Sequence, residues 1–263
     1  MRNFLFRRIK FDREDRNNPL YYSLASRTRI PYLLDVISTK GQALDVGCGI
    51  GFFSNIAAKN FSRIVAIDPD KKSIEKAKSL YRSQNIEFVQ TPAEQIPLPA
   101  DSIDFLLCSE VLEHVDNLGK TIQEIKRVCK NGSKFFITVP SIEGIFGNFF
   151  LEIGHRNSNL YEQHKRPPFT KKNITKLLLD NNFQIEKTFY SKIFLAEIFM
   201  GLTKFFHNLK KGKACGGQSD ILMPPKVYRM IFPFILFLTK LEDFILNNAL
   251  RGHMFIINGR IKK

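Results

Sequence analysis

Short apolar runs separated by amphipathic stretches set the rhythm of the chain from residue 43 to residue 139. The runs at 43–46, 63–67, 86–89, 103–108 and 134–139 are short and bounded by turn-forming residues, which predicts strands. Between them, 52–59, 71–82 and 118–129 carry apolar residues at helical spacing, and 91–101 reads as a loop. Strands alternating with helices predict a doubly wound, mostly parallel α/β sheet. Upstream, Leu20, Leu24, Ile30, Leu33, Leu34 and Ile37 give 19–39 an imperfect helical face, expected to lie over the ligand side of the sheet. Downstream, 141–170 is irregular and aromatic, a helix starts at Thr170, and 183–190 and 254–260 read as two further strands, for a sheet of seven. A helical insertion, 191–252, separates those two strands.

The first predicted strand ends in Asp45-Val46-Gly47-Cys48-Gly49-Ile50-Gly51, and the second ends on Asp68. Glycines at this strand-to-helix turn let the backbone approach a ligand closely, and a carboxylate at the end of the next strand can take both hydroxyls of a ribose. The spacing is G-x-G-x-G with an acidic residue two positions ahead, whereas the dinucleotide fingerprint is G-x-G-x-x-G. In order and spacing, this loop, the stretch from Val65 to Leu80, Ala93 to Val115 and Glu124 to Pro140 resemble the class I S-adenosylmethionine-dependent methyltransferases, over roughly Gly41 to Ser141. The resemblance implies a Rossmann-like module at 41–141 that binds S-adenosylmethionine, and Met254 to Arg260 resembles the family's last strand, which implies that it runs antiparallel. It places Asp45, Gly47, Cys48, Gly49 and Gly51 around the methionine part, Asp68 on the ribose, and Ala93 and Glu94 at the adenine. Two positions depart from the family: Pro92 stands where an acidic residue is common, and Cys129-Lys130-Asn131-Gly132-Ser133 replaces the usual Leu-Lys-Pro-Gly-Gly.

After the fourth strand come Glu110, Glu113 and His114, which on a helical turn would share one face. They resemble the Mg²⁺-binding trio of coenzyme Q O-methyltransferases, which implies a magnesium site. The alternative reading gives His114 alone a role, as general base or substrate contact. His155, Tyr161, His164, Lys165 and Arg166 are further candidates to grip an anionic acceptor, or else plain surface residues.

Charge sharpens the picture. The net charge is +15, yet residues 41–141 carry 12 basic and 12 acidic groups, so the whole excess lies in 1–40 and 142–263. Fifteen of the 25 phenylalanines also follow residue 141. Basic charge mixed with aromatics suits an anionic membrane surface, a nucleic acid or an acidic substrate, against a plain solvated rim. The longest apolar run, Met230 to Leu238, would reach about 14 Å as a helix, against a bilayer core of about 30 Å. It reads as an interfacial helix or a core helix over the pocket. Cysteines 48, 108, 129 and 215 form no CxxC pair, which suits reduced thiols in the cytoplasm. The start of the chain lacks the apolar core of a secretory signal.

The expected organisation is a helical cap at 1–40, the cofactor module at 41–141, and a substrate or lid region at 142–263 that completes the sheet. The expected activity is methyl transfer, most readily to oxygen, on a small or lipid-linked acceptor near the inner face of the membrane. The rivals are an RNA methyltransferase, favoured by the charge but lacking a recognisable RNA-binding module or RNP-type basic-aromatic motif, and a cofactor-binding scaffold without catalysis. The absence of an Asn-Pro-Pro-Tyr-like motif after strand four disfavours methylation of exocyclic amines in nucleic acid.

Overall fold

A computed structural model of the chain describes residues 9–37, 41–83, 85–144, 165–191, 194–196, 198–199, 223–246 and 250–263. Seven strands form one sheet: β1 (Gln42–Val46), β2 (Arg63–Asp68), β3 (Ile86–Gln90), β4 (Ile103–Ser109), β5 (Cys129–Pro140), β6 (Phe183–Ser191) and β7 (Met254–Ile261). Their order is β3-β2-β1-β4-β5-β7-β6, with β7 antiparallel to both of its neighbours and the pairs from β3 through β5 parallel. The order turns outward in both directions from β1 and β4, and ligands of such sheets bind beyond the carboxyl ends of the strands at this switch point.

The pleat sorts side chains to two faces. On one, Leu44, Val46, Leu106 and Cys108 meet Ile122 and Ile125 of α5 (Leu118–Val128) and Ile174 and Leu178 of α6 (Lys171–Asp180). On the other, Ala43, Phe105, Leu107 and Phe136 meet Leu33 of α2 (Leu24–Val36), Ala57 of α3 (Phe52–Ala58) and Ala77 of α4 (Lys71–Leu80). Local chemistry sets where these helices begin. Ser23, Asp70, Asn117 and Thr170 each accept a backbone N–H from the first turn of α2, α4, α5 and α6.

Ahead of α2 the chain departs from the single helix expected over 19–39. A short helix, α1 (Arg13–Asn17), is followed by a 3-10 turn at Pro19–Tyr22 before Ser23 starts α2. The break has a function in the packing: Asn18 accepts Leu20 N–H at 2.9 Å and donates to Ile50 O at 3.4 Å and to the Tyr81 hydroxyl at 3.0 Å, tying the N-terminal segment to the glycine loop.

The insertion leaves β6 and returns to β7 at one end, because Ser191 pairs with Met254. Its described helix, α7 (Lys226–Leu246), packs Phe232, Ile235 and Leu236 on Leu24 and Tyr22. Its acidic residues face inward: Asp243 accepts the Ser191 hydroxyl at 2.6 Å, and Glu242 accepts Leu195 N–H at 3.0 Å. Val227, Met230, Phe234 and Ile245 face outward, 62 to 80% exposed. Among the described residues, no helix is long and apolar enough to cross a membrane.

Candidate functional site

Gly47, Gly49 and Gly51 all take positive φ, at 68°, 52° and 77°, so the loop between β1 and α3 needs glycine at each. It is also crowded: a Cβ on Gly47 would come within 2.4 Å of Val111 Cγ2. Cys48 N–H donates to Ile67 O at 2.9 Å and Gly49 N–H donates to Asp68 Oδ2 at 2.8 Å, which holds the loop against the end of β2. Asp70 N–H donates to the other Asp68 oxygen at 2.9 Å. Each oxygen keeps acceptor capacity beyond its single backbone donor. Burial raises the Asp68 pKa, while those two N–H groups and the nearby charge of His114 pull against it.

Asp45 sits deeper. Its side chain is buried and accepts the Ser54 hydroxyl at 2.5 Å, and burial lifts its pKa to about 7. Cys48 is buried beside it, with its thiol pKa pushed well above the ordinary value by burial and by Asp45 and Asp68. The loop after β3 comes to the same place, since Thr91 N–H donates to Asp68 O at 3.1 Å. In that loop Ala93 is buried, and Glu94 accepts Asn117 N–H at 2.9 Å ahead of α5. The structure therefore brings Asp45, Gly47, Cys48, Gly49, Gly51 and Asp68 into one loop system, with the segment of Ala93 and Glu94 on its border.

The expected metal trio is a correction. Residues 111–117 form turns before α5, and Glu110 takes a left-handed φ of 58°, so the helical spacing that would align 110, 113 and 114 does not exist. Glu110 Oε1 accepts the Thr138 hydroxyl at 3.2 Å, Glu113 is buried, and the His114 side chain is 39% exposed. Among the described residues, no group of three His, Cys, Asp or Glu is arranged to hold a metal ion. Magnesium is not supported.

What occupies that place is an arginine that the sequence pattern does not single out. Arg29 reaches from α2 to donate to Ser109 Oγ at 2.7 Å, with its Nε donating to Ala25 O at 2.8 Å and its guanidinium 4.9 Å from the Phe53 ring centroid. Burial disfavours its charge, and Glu110 and then Glu113 restore it. Ser109 and Thr138 hydroxyls lie 2.9 Å apart, so a buried polar chain runs across the ends of β4 and β5. His114 adjoins it, its Nε2 3.8 Å from Glu113 Oε1. Arg166 donates to the carbonyls of Leu112 and Val115, which fixes the turn beneath His114, and Lys165 pairs with Asp116 at 3.1 Å. His155, Tyr161 and His164 lie outside the described residues.

The sequence family described as a methyltransferase domain matches residues 44–137, the span that carries all of these strand ends up to β5. The ubiquinone biosynthesis O-methyltransferase of Rickettsia typhi is 30% identical over 176 residues, 60% of this chain and 69% of that protein. Its counterpart from Coxiella burnetii is 31% identical over 118 residues, 44% of this chain and 50% of that one. YcgJ of Bacillus subtilis, described as an uncharacterised methyltransferase, is 28% identical over 99 residues, 36% of this chain and 39% of that protein. In its crystal structure, YcgJ superposes with a TM-score of 0.55 at 18% identity, covering 88% of this chain and 97% of that one, a likeness of fold. The chain thus spans about half the length or less of the first curated relatives it matches.

Proposed function

Because the chain belongs to the family of S-adenosylmethionine-dependent methyltransferases, we propose that it transfers a methyl group to an oxygen of a small or lipid-linked acceptor at the inner face of the membrane. The observation that carries this reading is the meeting of the glycine loop, Asp68 and His114 at the switch point of the sheet. Asp68 and the loop fit a cofactor with a ribose: the carboxylate is fixed by two backbone donors, and each of its oxygens keeps acceptor capacity for a hydroxyl. When bound, S-adenosylmethionine supplies a methyl carbon on a sulfonium, which leaves readily and asks the protein mainly for alignment. Asp68 takes the ribose hydroxyls, and the backbone at Ala93 and Glu94 borders the adenine.

His114 takes the proton that the acceptor hydroxyl gives up, with Glu113 Oε1 3.8 Å from its Nε2. The Arg29 chain keeps Ser109 and Glu110 fixed behind it, and Arg166 holds the turn. Glu110 and Glu113 thereby have roles that need no metal.

The membrane part rests on α7 and the charge pattern. Exposed Met230 and Phe234 share one outer face with Val227 and Ile245, while Lys226 stands at its start. Each side chain of this size removed from water contributes roughly 1.5–3 kcal/mol, and each basic residue near an anionic leaflet about 1 kcal/mol. Of the aromatic and basic residues expected to dock with it, Lys204, Phe205, Phe206, Lys210, Lys211 and Lys213 lie outside the described residues.

Incubation with methyl-tritiated S-adenosylmethionine and a membrane lipid extract tests the reading. Label is expected in the organic phase, and His114→Gln should lower turnover by ~10²-fold or more while binding of S-adenosylhomocysteine stays within twofold. Label in added RNA with none in lipid or small molecules would favour the rival substrate. Cofactor binding with no label anywhere would leave the scaffold.

A further inference from the structure

A second cavity, of about 390 Å³, opens between the N-terminal segment and α7. Four cations line it: Arg16 from α1, Arg27 from α2, and Arg229 and Lys240 from α7. Aromatic rings fill the spaces between them, with Tyr21 and Tyr22 on one wall and Phe232 and Phe237 on the other. Among the described residues, no acidic side chain lines the cavity and no carboxylate lies within ion-pair distance of any of the four cations. From these observations we infer that this cavity binds a phosphoryl group, as a monoester or diphosphate, next to an apolar moiety.

Surface cations ordinarily point into water. Here Arg27 is buried and Arg229 and Lys240 are half-buried, while Arg16 stays exposed at the rim. Arg27 is only 8% exposed, its guanidinium stacked 4.2 Å from the Phe11 ring centroid and 4.3 Å from that of Tyr21, and it donates to Tyr21 O at 3.2 Å. That is a fixed and partly desolvated fork, which suits phosphate oxygens. Arg229 has its Nε buried without a hydrogen-bond partner and its guanidinium 5.9 Å from the Tyr22 ring. Lys240 is held against Arg27, and burial followed by that like charge pushes its pKa down to about 8. Asp15 acts on Arg27 from behind the wall, but its carboxylate is engaged with Asn55 at 2.8 Å and with Asp12 N–H at 3.0 Å. Arg27, Arg229 and Lys240 gathered at one partly buried wall repel one another and have lost part of their water, and an anion among them relieves both costs.

The cavity also lies beside apolar surface. Phe237 and Pro233 belong to its lining, and Met230 and Phe234, 80% and 65% exposed, stand on the same helix. A phosphate whose ester carries a hydrocarbon chain would meet both kinds of surface at once. The site is linked to the glycine loop through Asn18, three residues ahead of Tyr21, which donates to Ile50 O. It does not depend on methyl transfer, since none of its residues belongs to the cofactor loop or to the group around His114.

The shared chemistry, a phosphoryl anion, has two sources, and the test separates them. The full chain is titrated at low salt with inorganic pyrophosphate, with dihexanoyl phosphatidic acid, and with phosphatidylcholine vesicles that contain or lack phosphatidic acid. Binding of at least one phosphoryl probe is expected, weakened tenfold or more by Arg229→Gln and by Lys240→Gln. S-adenosylhomocysteine binding by the same samples should be unchanged, which shows both that the variants fold and that the two sites are separate. Pyrophosphate binding as tightly as the lipid assigns the site to a soluble phosphorylated compound. Binding confined to lipid assigns it to a headgroup. No binding by any probe, or equal binding by both variants and the natural protein, overturns the inference.

Discussion

Replacing Asp45 by asparagine isolates what burial does to the acid at the centre of the glycine loop. Asp45 is 3% exposed and accepts the Ser54 hydroxyl at 2.5 Å, a bond that an asparagine carbonyl can also accept. Burial raises its pKa from 3.8 to about 7. Between those values the folded protein holds a proton that the unfolded chain has lost, so this group makes stability fall as pH rises, levelling off above pH 7. At about 1.4 kcal/mol for each pH unit that separates the folded from the unfolded value, its unfavourable contribution grows by roughly 2–3 kcal/mol between about pH 5 and 8. Asparagine does not titrate. Urea unfolding of both proteins at pH 5, 6, 7 and 8 should therefore show the variant gaining roughly 2–3 kcal/mol on the natural protein across the series, because titrations uncoupled from Asp45 cancel in the difference. A difference that stays constant with pH would show that Asp45 is charged throughout, and the burial argument would fail. The same acid bears on function: a cationic ligand beside Asp45 favours its carboxylate, so ligand binding below pH 7 should release protons in the natural protein and fewer in Asp45→Asn.

Two further substitutions probe the frame. Gly47→Ala meets both a φ of 68° and a contact of 2.4 Å with Val111, whereas Gly132→Ala has a φ of 83° but nothing within 4 Å; the first should lose about 1–3 kcal/mol more in thermal or urea unfolding, and equal losses would contradict the packing described. Arg29→Met removes the donors to Ser109 Oγ and Ala25 O and should cost about 1–3 kcal/mol, read from urea midpoints; no loss would mean that the polar chain across β4 and β5 does not depend on it.

The parts of the site that were legible in the sequence are those made by neighbours in the chain. The glycine turn and Asp68 are set by spacing within one strand–helix–strand unit, and the seven strands follow from short apolar runs, the antiparallel direction of the last coming from the family resemblance. Arg29 was hidden because its partners stand 80 residues away, at Ser109 and beyond. Its one local signal is an arginine two residues from Arg27 within an otherwise apolar helical pattern, where a solvated charge has no place. The metal reading failed for the opposite reason: it assumed helical geometry over 110–114, and a left-handed Glu110 is a backbone state that spacing does not reveal. In α7 the apolar run was visible, but its inward face is the one that holds Glu242 and Asp243, because Ser191 and Leu195 supply donors from the far end of β6.

Calorimetric titration of S-adenosylhomocysteine into the natural protein and into Asp68→Ala tests the central claim most directly. Asp68 stands fixed by the N–H groups of Gly49 and Asp70 with acceptor capacity to spare. Hydrogen bonds to a charged acceptor contribute about 1.5–3 kcal/mol each, and about 1.4 kcal/mol is tenfold in affinity. Binding by the natural protein, weakened at least tenfold in the variant, is the predicted result. No heat with the natural protein at high ligand concentration, or equal affinity in the two, would contradict it.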